Sequence, residues 1–95
     1  MVNHIIENYF SAVLAMNDVD FMKPMVVAAL EFHGGMATLV EVAKYIWEHY
    51  QNDLEGAGDL YYRWQYVMRW SATNLRHDGR MLPAKDCDHG VWVLA

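Results

Sequence analysis

Apolar and small residues recur at helical spacing between Asp59 and Gly79. At about 100° per residue they occupy roughly a third of a helix circumference, which is the width of one core face. Asp59 is a suitable N-cap, and Gly79 suits the left-handed residue that closes a helix. The pattern therefore predicts one long helix. Its predicted core face consists of Leu60, Trp64, Val67, Met68, Ser71 and Leu75.

Residues 3–16 predict a separate N-terminal helix, and the polar residues 17–20 predict a connector after it. The helix has apolar side chains over more than one face. Two interpretations remain open: this surface packs on the chain's own domain, or part of it contacts a second copy in a homodimer. The apolar residues concerned are Ile5, Ile6, Tyr9, Phe10, Val13, Leu14 and Met16.

A third predicted helix runs from Met25 to His33. Pro24 suits its first turn, and Gly34 and Gly35 end it. Met36 and Ala37 are expected to form only a short extended link, at most a single bridge to a strand. The predicted inward residues of this helix are Val26, Val27, Ala29, Leu30 and Phe32.

The next helix begins with a capping box, because Thr38 is followed three residues later by Glu41. Residues 51–58 are polar and acidic and include two glycines, so they predict a loop. The apolar positions of the helix follow the series i, i+3, i+4, i+7, i+8, i+11. They are Leu39, Val42, Ala43, Ile46, Trp47 and Tyr50.

After the long helix, residues 80–83 and 91–94 predict the two arms of a β-hairpin, with Trp92 in the core. The polar residues 84–90 lie between them. This order predicts a mostly α-helical fold with a small β-hairpin, a winged helix-turn-helix with an extra N-terminal helix. We expect one domain over residues 1–95, divided into an N-terminal extension at 1–19 and a winged-helix core at 22–95.

The face of the long helix opposite its core holds aromatic, basic and hydrogen-bonding residues and no carboxylate. Such a surface can enter the major groove of DNA, although its arginines and tyrosines could also be ordinary solvated side chains. The adjacent wing could reach backbone phosphates. The predicted contacts with double-stranded DNA are Tyr62, Tyr66, Arg69, Thr73 and Arg76 on the helix, and Arg80, Lys85 and His89 around the wing.

The formal net charge of −5 argues against DNA binding until its distribution is considered. Residues 1–60 contain nine acidic and two basic residues, whereas residues 61–95 contain three acidic and five basic residues. The basic residues thus lie mainly on the predicted DNA-contacting elements. The excess is small, so we expect modest DNA affinity or a dimer. The acidic first half allows the alternative of a module that binds a protein partner.

Composition narrows the classes of protein to which the chain could belong. The chain has 95 residues and is 55% hydrophobic, as expected of one soluble domain. No apolar run approaches the ~20 residues of a membrane-spanning helix, and no basic region that would indicate a signal peptide precedes the first apolar residues. The single cysteine, Cys87, excludes an internal disulfide and indicates the cytoplasm.

Catalytic and metal-binding patterns were also sought. Asp86, Cys87, Asp88 and His89 are metal-ligand types, but adjacent residues of a turn point in alternate directions and no spaced Cys/His pairs occur. The sequence contains no phosphate-binding glycine loop and no nucleophile with a recognisable base. We therefore predict no catalytic residue, metal or cofactor, and a protein that is not an enzyme.

Two specific features stand out between Met22 and Ala95: the tryptophan pair Trp64 and Trp70, and the closing Gly90-Val91-Trp92. More general features are Pro24, Ala29-Leu30, Gly34-Gly35, Ala37-Thr38, Glu41-Val42, Arg63, Arg69, Ser71, Leu75 and Gly79. In these residues the segment resembles the N-terminal winged-helix domain of Mrr-type restriction proteins.

This resemblance implies a DNA-binding module that delivers a nuclease domain in the family. The present chain leaves no room for a nuclease after the wing, so the expected role is a transcription regulator or the recognition part of a defence or mobile-element system. Residues 78–82 are also similar, over a shorter stretch, to the acidic winged helix of the δ subunit of bacterial RNA polymerase. That second resemblance implies a protein-interaction module that binds a polymerase, nuclease or other protein.

Overall fold

The computed structural model describes residues 18–95, so the predicted helix at residues 3–16 lies outside the described residues. The described part is mostly helical with a small two-stranded antiparallel sheet. Its elements, in order, are α1 (18–32), β1 (Met36–Thr38), α2 (Leu39–Glu55), α3 (Leu60–His77), a 3-10 turn (Ala84–Asp86) and β2 (Val91–Val93).

Helix α1 differs from the prediction at its beginning. Asp18, Val19 and Asp20 are helical, so the predicted connector is wrong there, and Pro24 lies inside the helix instead of in its first turn. Proline lacks the N–H that would bond to the carbonyl four residues earlier. The helix continues nonetheless because Met22, beside the proline, is completely buried in the core. Burial of apolar surface here outweighs the local cost of a proline.

The predicted end of α1 at the two glycines is confirmed. Gly34 and Gly35 both have positive φ, and they close a Schellman motif. The Gly35 N–H donates to the Leu30 carbonyl at 2.7 Å, and the Gly34 N–H donates to the Glu31 carbonyl at 3.1 Å. Val26, Ala29 and Leu30 are buried as predicted. Phe32 is 68% exposed, so its predicted inward position is wrong.

Helix α2 begins with the predicted capping box. The Glu41 N–H donates to the Thr38 hydroxyl at 3.1 Å, and the Thr38 N–H donates to the Glu41 carboxylate at 2.9 Å. The predicted loop at 51–58 is wrong in its first half, because α2 continues to Glu55 beyond a non-helical Tyr50 with φ −124°. Completely buried Leu54 anchors this extra segment to the core.

The sheet connects the middle of the chain with its C-terminal end. Strand β1 pairs antiparallel with β2 through Met36–Val93, Ala37–Trp92 and Thr38–Val91. The predicted first hairpin arm at 80–83 contributes a single bridge, between Met81 and Leu94. Residues 36–38 therefore form a fully paired strand where the sequence predicted at most one bridge. Residues 80–83 form one bridge where the sequence predicted a hairpin arm. Both flank β2, which is the strand arrangement of a winged helix.

The predicted core face of α3 is confirmed over its whole length, from Leu60 to Leu75. Buried Ser71 fits this apolar surface because its hydroxyl lies 2.9 Å from the Val19 carbonyl and 3.0 Å from the Val67 carbonyl. The single hydroxyl hydrogen is shared between these two acceptors, so the buried donor is satisfied. The hydroxyl also joins α3 to α1. Trp92 of β2 is buried against the same core, as predicted.

The two ends of α3 differ in how closely they follow prediction. Gly79 has φ 76° and closes a Schellman motif, in which the Arg80 N–H donates to the Leu75 carbonyl at 2.9 Å. At the other end, Asp59 precedes the helix but has helical backbone angles and forms no side-chain cap hydrogen bond. The predicted capping role of its carboxylate is therefore wrong.

Candidate nucleic-acid interface

The outer face of α3, defined by Tyr62, Tyr66, Arg69, Thr73 and Arg76, points away from the core. Tyr62 is 84% exposed, Tyr66 is 63% exposed and Arg69 is also exposed. Thr73 is half-buried, and its hydroxyl donates to the Arg69 carbonyl at 3.2 Å, which leaves the oxygen able to accept. The helical period thus places the predicted side chains on one accessible surface.

Arg76 occupies a different environment from Arg69, although both belong to the outer face. It is half-buried where α3 meets the wing loop, which we define as residues 84–90, and it lines a pocket with Asp88 and His89. Its Nε atom is buried without a hydrogen-bond acceptor. Leaving a buried donor unpaired costs about 1–3 kcal/mol. Arg76 is therefore partly covered at its junction with the wing loop, whereas Arg69 is exposed to solvent.

The wing loop presents charges of both signs. Lys85 and His89 are exposed as predicted, but so are Asp86 and Asp88. The loop is ordered by short-range backbone bonds, including the Asp86 N–H to the Pro83 carbonyl at 3.0 Å. The basic surface that continues from α3 is therefore interrupted at the wing.

Salt bridges separate the basic residues into two groups. Arg63 pairs with Asp18 at 2.8 Å, and Lys23 lies 3.2 Å from Asp20 and 3.3 Å from Asp78, so these cations are neutralised along the α1 side of α3. The pKa of Lys23 is raised, first by the hydrogen bond to Asp20 and then by Asp78. Within residues 18–95, the basic side chains without a salt bridge are Lys44, Arg69, Arg76, Arg80 and Lys85. All of these except Lys44 lie on the outer face, at its end or on the wing loop.

Trp70 lies at the border of the core stripe of α3, a position for which the helical pattern favours burial against a neighbouring helix, but the residue is accessible. It is 48% exposed and lies beside Tyr66, with ring centroids 6.3 Å apart in an edge-to-face arrangement. The two rings also line a groove between α1 and α3 with Val19 as an apolar wall. In the sequence, only the position of Trp70 at the border of the core stripe indicates how buried its side chain is. That position does not determine how closely α1 packs against α3.

Three further features of residues 18–95 are the arrangement of potential metal ligands, the thiol of Cys87 and the apolarity of the helices. No group of three or more His, Cys, Asp or Glu side chains in this part of the chain is arranged to hold a metal ion. Cys87 is half-buried as a free thiol, and its Sγ lies 3.4 Å from the Pro83 carbonyl. None of the described helices combines the length and apolarity needed to span a bilayer.

These features define a small helix-rich domain of winged-helix order, with an acid-free outer face on its last long helix. Comparisons with protein-family models, curated proteins and solved structures found no match to the chain.

Proposed function

We propose that the chain is a small winged-helix protein that binds double-stranded DNA in the cytoplasm, as a regulator or as the recognition part of a defence or mobile-element system. The observation that supports this most directly is the separation of the basic residues by their salt bridges. Where α1 and α3 meet, Arg63 of α3 and Lys23 of α1 are paired with carboxylates, while the cations of the outer face and wing are not paired within residues 18–95. Unpaired cations on one surface can replace the counterions of a phosphate backbone.

In this proposal α3 enters the major groove. Arg69 is the residue best placed for a base edge, because it is exposed and lies midway along the helix between Tyr66 and Thr73. Arg76 lies at the junction of α3 with the wing loop, so its expected contact is a backbone phosphate there. Arg80, Lys85 and His89 would extend that phosphate contact, and Tyr62 would contact the duplex at the other end of α3.

Fluorescence anisotropy on mixed duplex fragments at low salt tests the proposal. Loss of a phosphate contact in Arg76→Ala should flatten the salt dependence of binding by about one unit of slope. Loss of a base contact in Arg69→Ala should cost about 1–3 kcal/mol on a preferred site. Arg63→Ala is the matched control, since it removes an arginine from the same helix that is paired with Asp18.

The folded parent should bind, and Arg63→Ala should resemble it. A parent without measurable binding at low salt contradicts the proposal. So does a series in which the Arg69 and Arg76 variants bind as tightly as the Arg63 variant. Net acidity predicts weak binding to random duplex, which is why the assay uses low salt.

A second candidate is a module that binds a protein partner. Tyr62, Tyr66 and Trp70 form an exposed aromatic series along α3, and Asp86 and Asp88 lie on the wing loop. Tyrosine, tryptophan and arginine are the residues enriched at the centres of protein interfaces. Salt dependence separates the two candidates. A DNA complex should weaken steeply as salt rises, whereas a partner complex centred on Tyr66 and Trp70 should change little.

We also propose a homodimer formed through the N-terminal helix predicted at residues 3–16. Two copies would double the number of phosphate contacts and so offset the small basic excess of each chain. Sedimentation of the intact chain, compared with a variant in which Tyr9 and Phe10 are made polar, tests this. A parent that stays monomeric at high concentration contradicts it.

A further inference from the structure

A second pocket lies between the C-terminal end of α1 and the exposed side of α2. Phe32, Tyr45 and His49 form its aromatic wall, which we term the aromatic pocket. The Phe32 and Tyr45 ring centroids are 5.1 Å apart, and Tyr45 stacks on His49 at 4.0 Å with planes 18° apart. The pocket has a volume of about 280 Å³, which is sufficient for one long side chain.

The charged groups of the aromatic pocket are two carboxylates, Glu41 and Glu48, and one cation, Lys44, and His33 lies 3.9 Å from the Glu41 carboxylate. His49 Nδ1 lies 2.9 Å from the Tyr45 carbonyl, and a carbonyl can only accept, so Nδ1 carries the hydrogen. In the neutral ring, Nε2 then has the lone pair. Glu41 and Glu48 add carboxylates at the rim. The pKa of Glu41 is lowered by hydrogen bonds from the Thr38 backbone and side chain, which keeps its carboxylate ionised.

We propose that the aromatic pocket binds an arginine side chain of a protein partner. A guanidinium is planar, so it can stack on an exposed ring such as Phe32 while its N–H groups donate to carboxylates. It is also more weakly hydrated than the ammonium of lysine, which lowers the cost of entering an aromatic site. The carboxylates of the rim make the same surface unfavourable for the phosphates of a nucleic acid.

This site is distinct from the proposed DNA interface, because it lies on α1 and α2 and uses no residue of α3 or the wing loop. The two sites therefore suit a protein that contacts DNA on one surface and a basic partner segment on another. The exposed position of Phe32, which the helical pattern assigned to the core, has a physical role in this arrangement. Its ring is an accessible part of the aromatic wall, as is that of His49.

Substitutions at two rim residues should change the affinity for arginine in opposite directions. Glu48 is exposed and, within the described residues, forms no salt bridge, so Glu48→Gln should weaken arginine binding about 2–5-fold. Lys44 is the cation that lines the pocket, so Lys44→Gln should strengthen binding by a similar factor. Glu41 is unsuitable for this test, because its carboxylate caps α2.

Nuclear magnetic resonance titration of the full chain supplies the measurement, with a blocked tetra-arginine peptide and a tetra-lysine peptide of equal charge as probes. The arginine peptide should shift the ring resonances of Phe32 and Tyr45 and bind about threefold or more tightly than the lysine peptide. Phe32→Ala should weaken it about 2–5-fold. Asp53→Asn is the matched control, because it removes an exposed carboxylate of α2 outside the pocket.

Thermal melts of each variant confirm that it is folded, and Phe32 is exposed enough for truncation to be tolerated. Ring resonances that do not move, equal binding of the two peptides, or an Asp53→Asn effect as large as that of Glu48→Gln would each overturn the proposal. A Lys44→Gln variant that does not bind the arginine peptide more tightly than the parent would also overturn the proposal. DNA binding is measured separately on Phe32→Ala and should equal that of the parent, so failure of one site leaves the other interpretable.

Discussion

Truncating Trp64 to alanine tests the packing of α3 most directly, because the same helix contains a matched control. Trp64 is 8% exposed, and its ring stacks on Trp47 at 6.0 Å with planes 9° apart. A tryptophan that buries about 150–200 Å² is stabilised by roughly 4–5 kcal/mol at about 25 cal/mol per Å². Measured losses for buried aromatic residues agree, at about 3–5 kcal/mol.

The control is Trp70→Ala, which removes the same side chain six residues later on α3. Trp70 is 48% exposed, so about half of its surface is already in water and the expected loss is about 2–2.5 kcal/mol. The two variants should therefore differ by about 2 kcal/mol. For a domain of this size that corresponds to a gap of about 8 °C or more in Tm.

Thermal melts followed by circular dichroism, together with urea unfolding, measure both losses under the same conditions. A Trp64→Ala variant as stable as the parent would mean that Trp64 is not in the core. Equal losses for the two variants would mean that the helix is rotated relative to the described packing. Either result would also change which residues form the outer face.

The other predictions concern single hydrogen bonds and backbone conformations. Thr38→Ala should cost about 0.5–2 kcal/mol in urea unfolding, because it removes the N-cap of α2. Since hydrogen bonds lower the pKa of Glu41, its contribution to stability should be full above the unfolded-state pKa and be lost as pH falls through the folded-state value. Melts across acidic pH should therefore show the parent converging on Glu41→Gln, and a constant gap would contradict the assignment. Ser71→Ala should cost about 1 kcal/mol by chemical unfolding, since it removes the bond between α3 and α1. Gly79→Ala should lower Tm because of its positive φ, while Gly56→Ala, at φ −78°, should be neutral or slightly stabilising; equal effects at both glycines would refute this.

Features that depend on neighbours along the chain were predictable from sequence. The capping box at Thr38, the Schellman glycines and the core stripe of α3 all depend on contacts within a few residues. The same periodicity placed Tyr62, Tyr66 and Arg69 on an accessible face. The order of the elements indicated winged-helix topology because it needs only their sequence and approximate lengths.

Tertiary structure decided the features for which local preference and packing disagree. Pro24 favours a helix start and the polar residues 17–20 predict a connector, yet α1 is helical from Asp18 and Met22 is buried in the core. Leu54 likewise extends α2 through a segment whose composition predicts a loop. Local propensities amount to a few tenths of a kcal/mol up to a few kcal/mol, and burying one large apolar side chain contributes a comparable amount.

The candidate sites show the same division between local pattern and long-range contact. Sequence identified the side chains of the outer face, but it did not show that Arg63 pairs with Asp18 or that Arg76 is half-buried beside the wing loop. It also assigned Phe32 to the core instead of the aromatic pocket. Helical period fixes the direction of a side chain around its own helix axis. Only the packing of other elements against that helix determines whether the side chain is covered, paired or exposed.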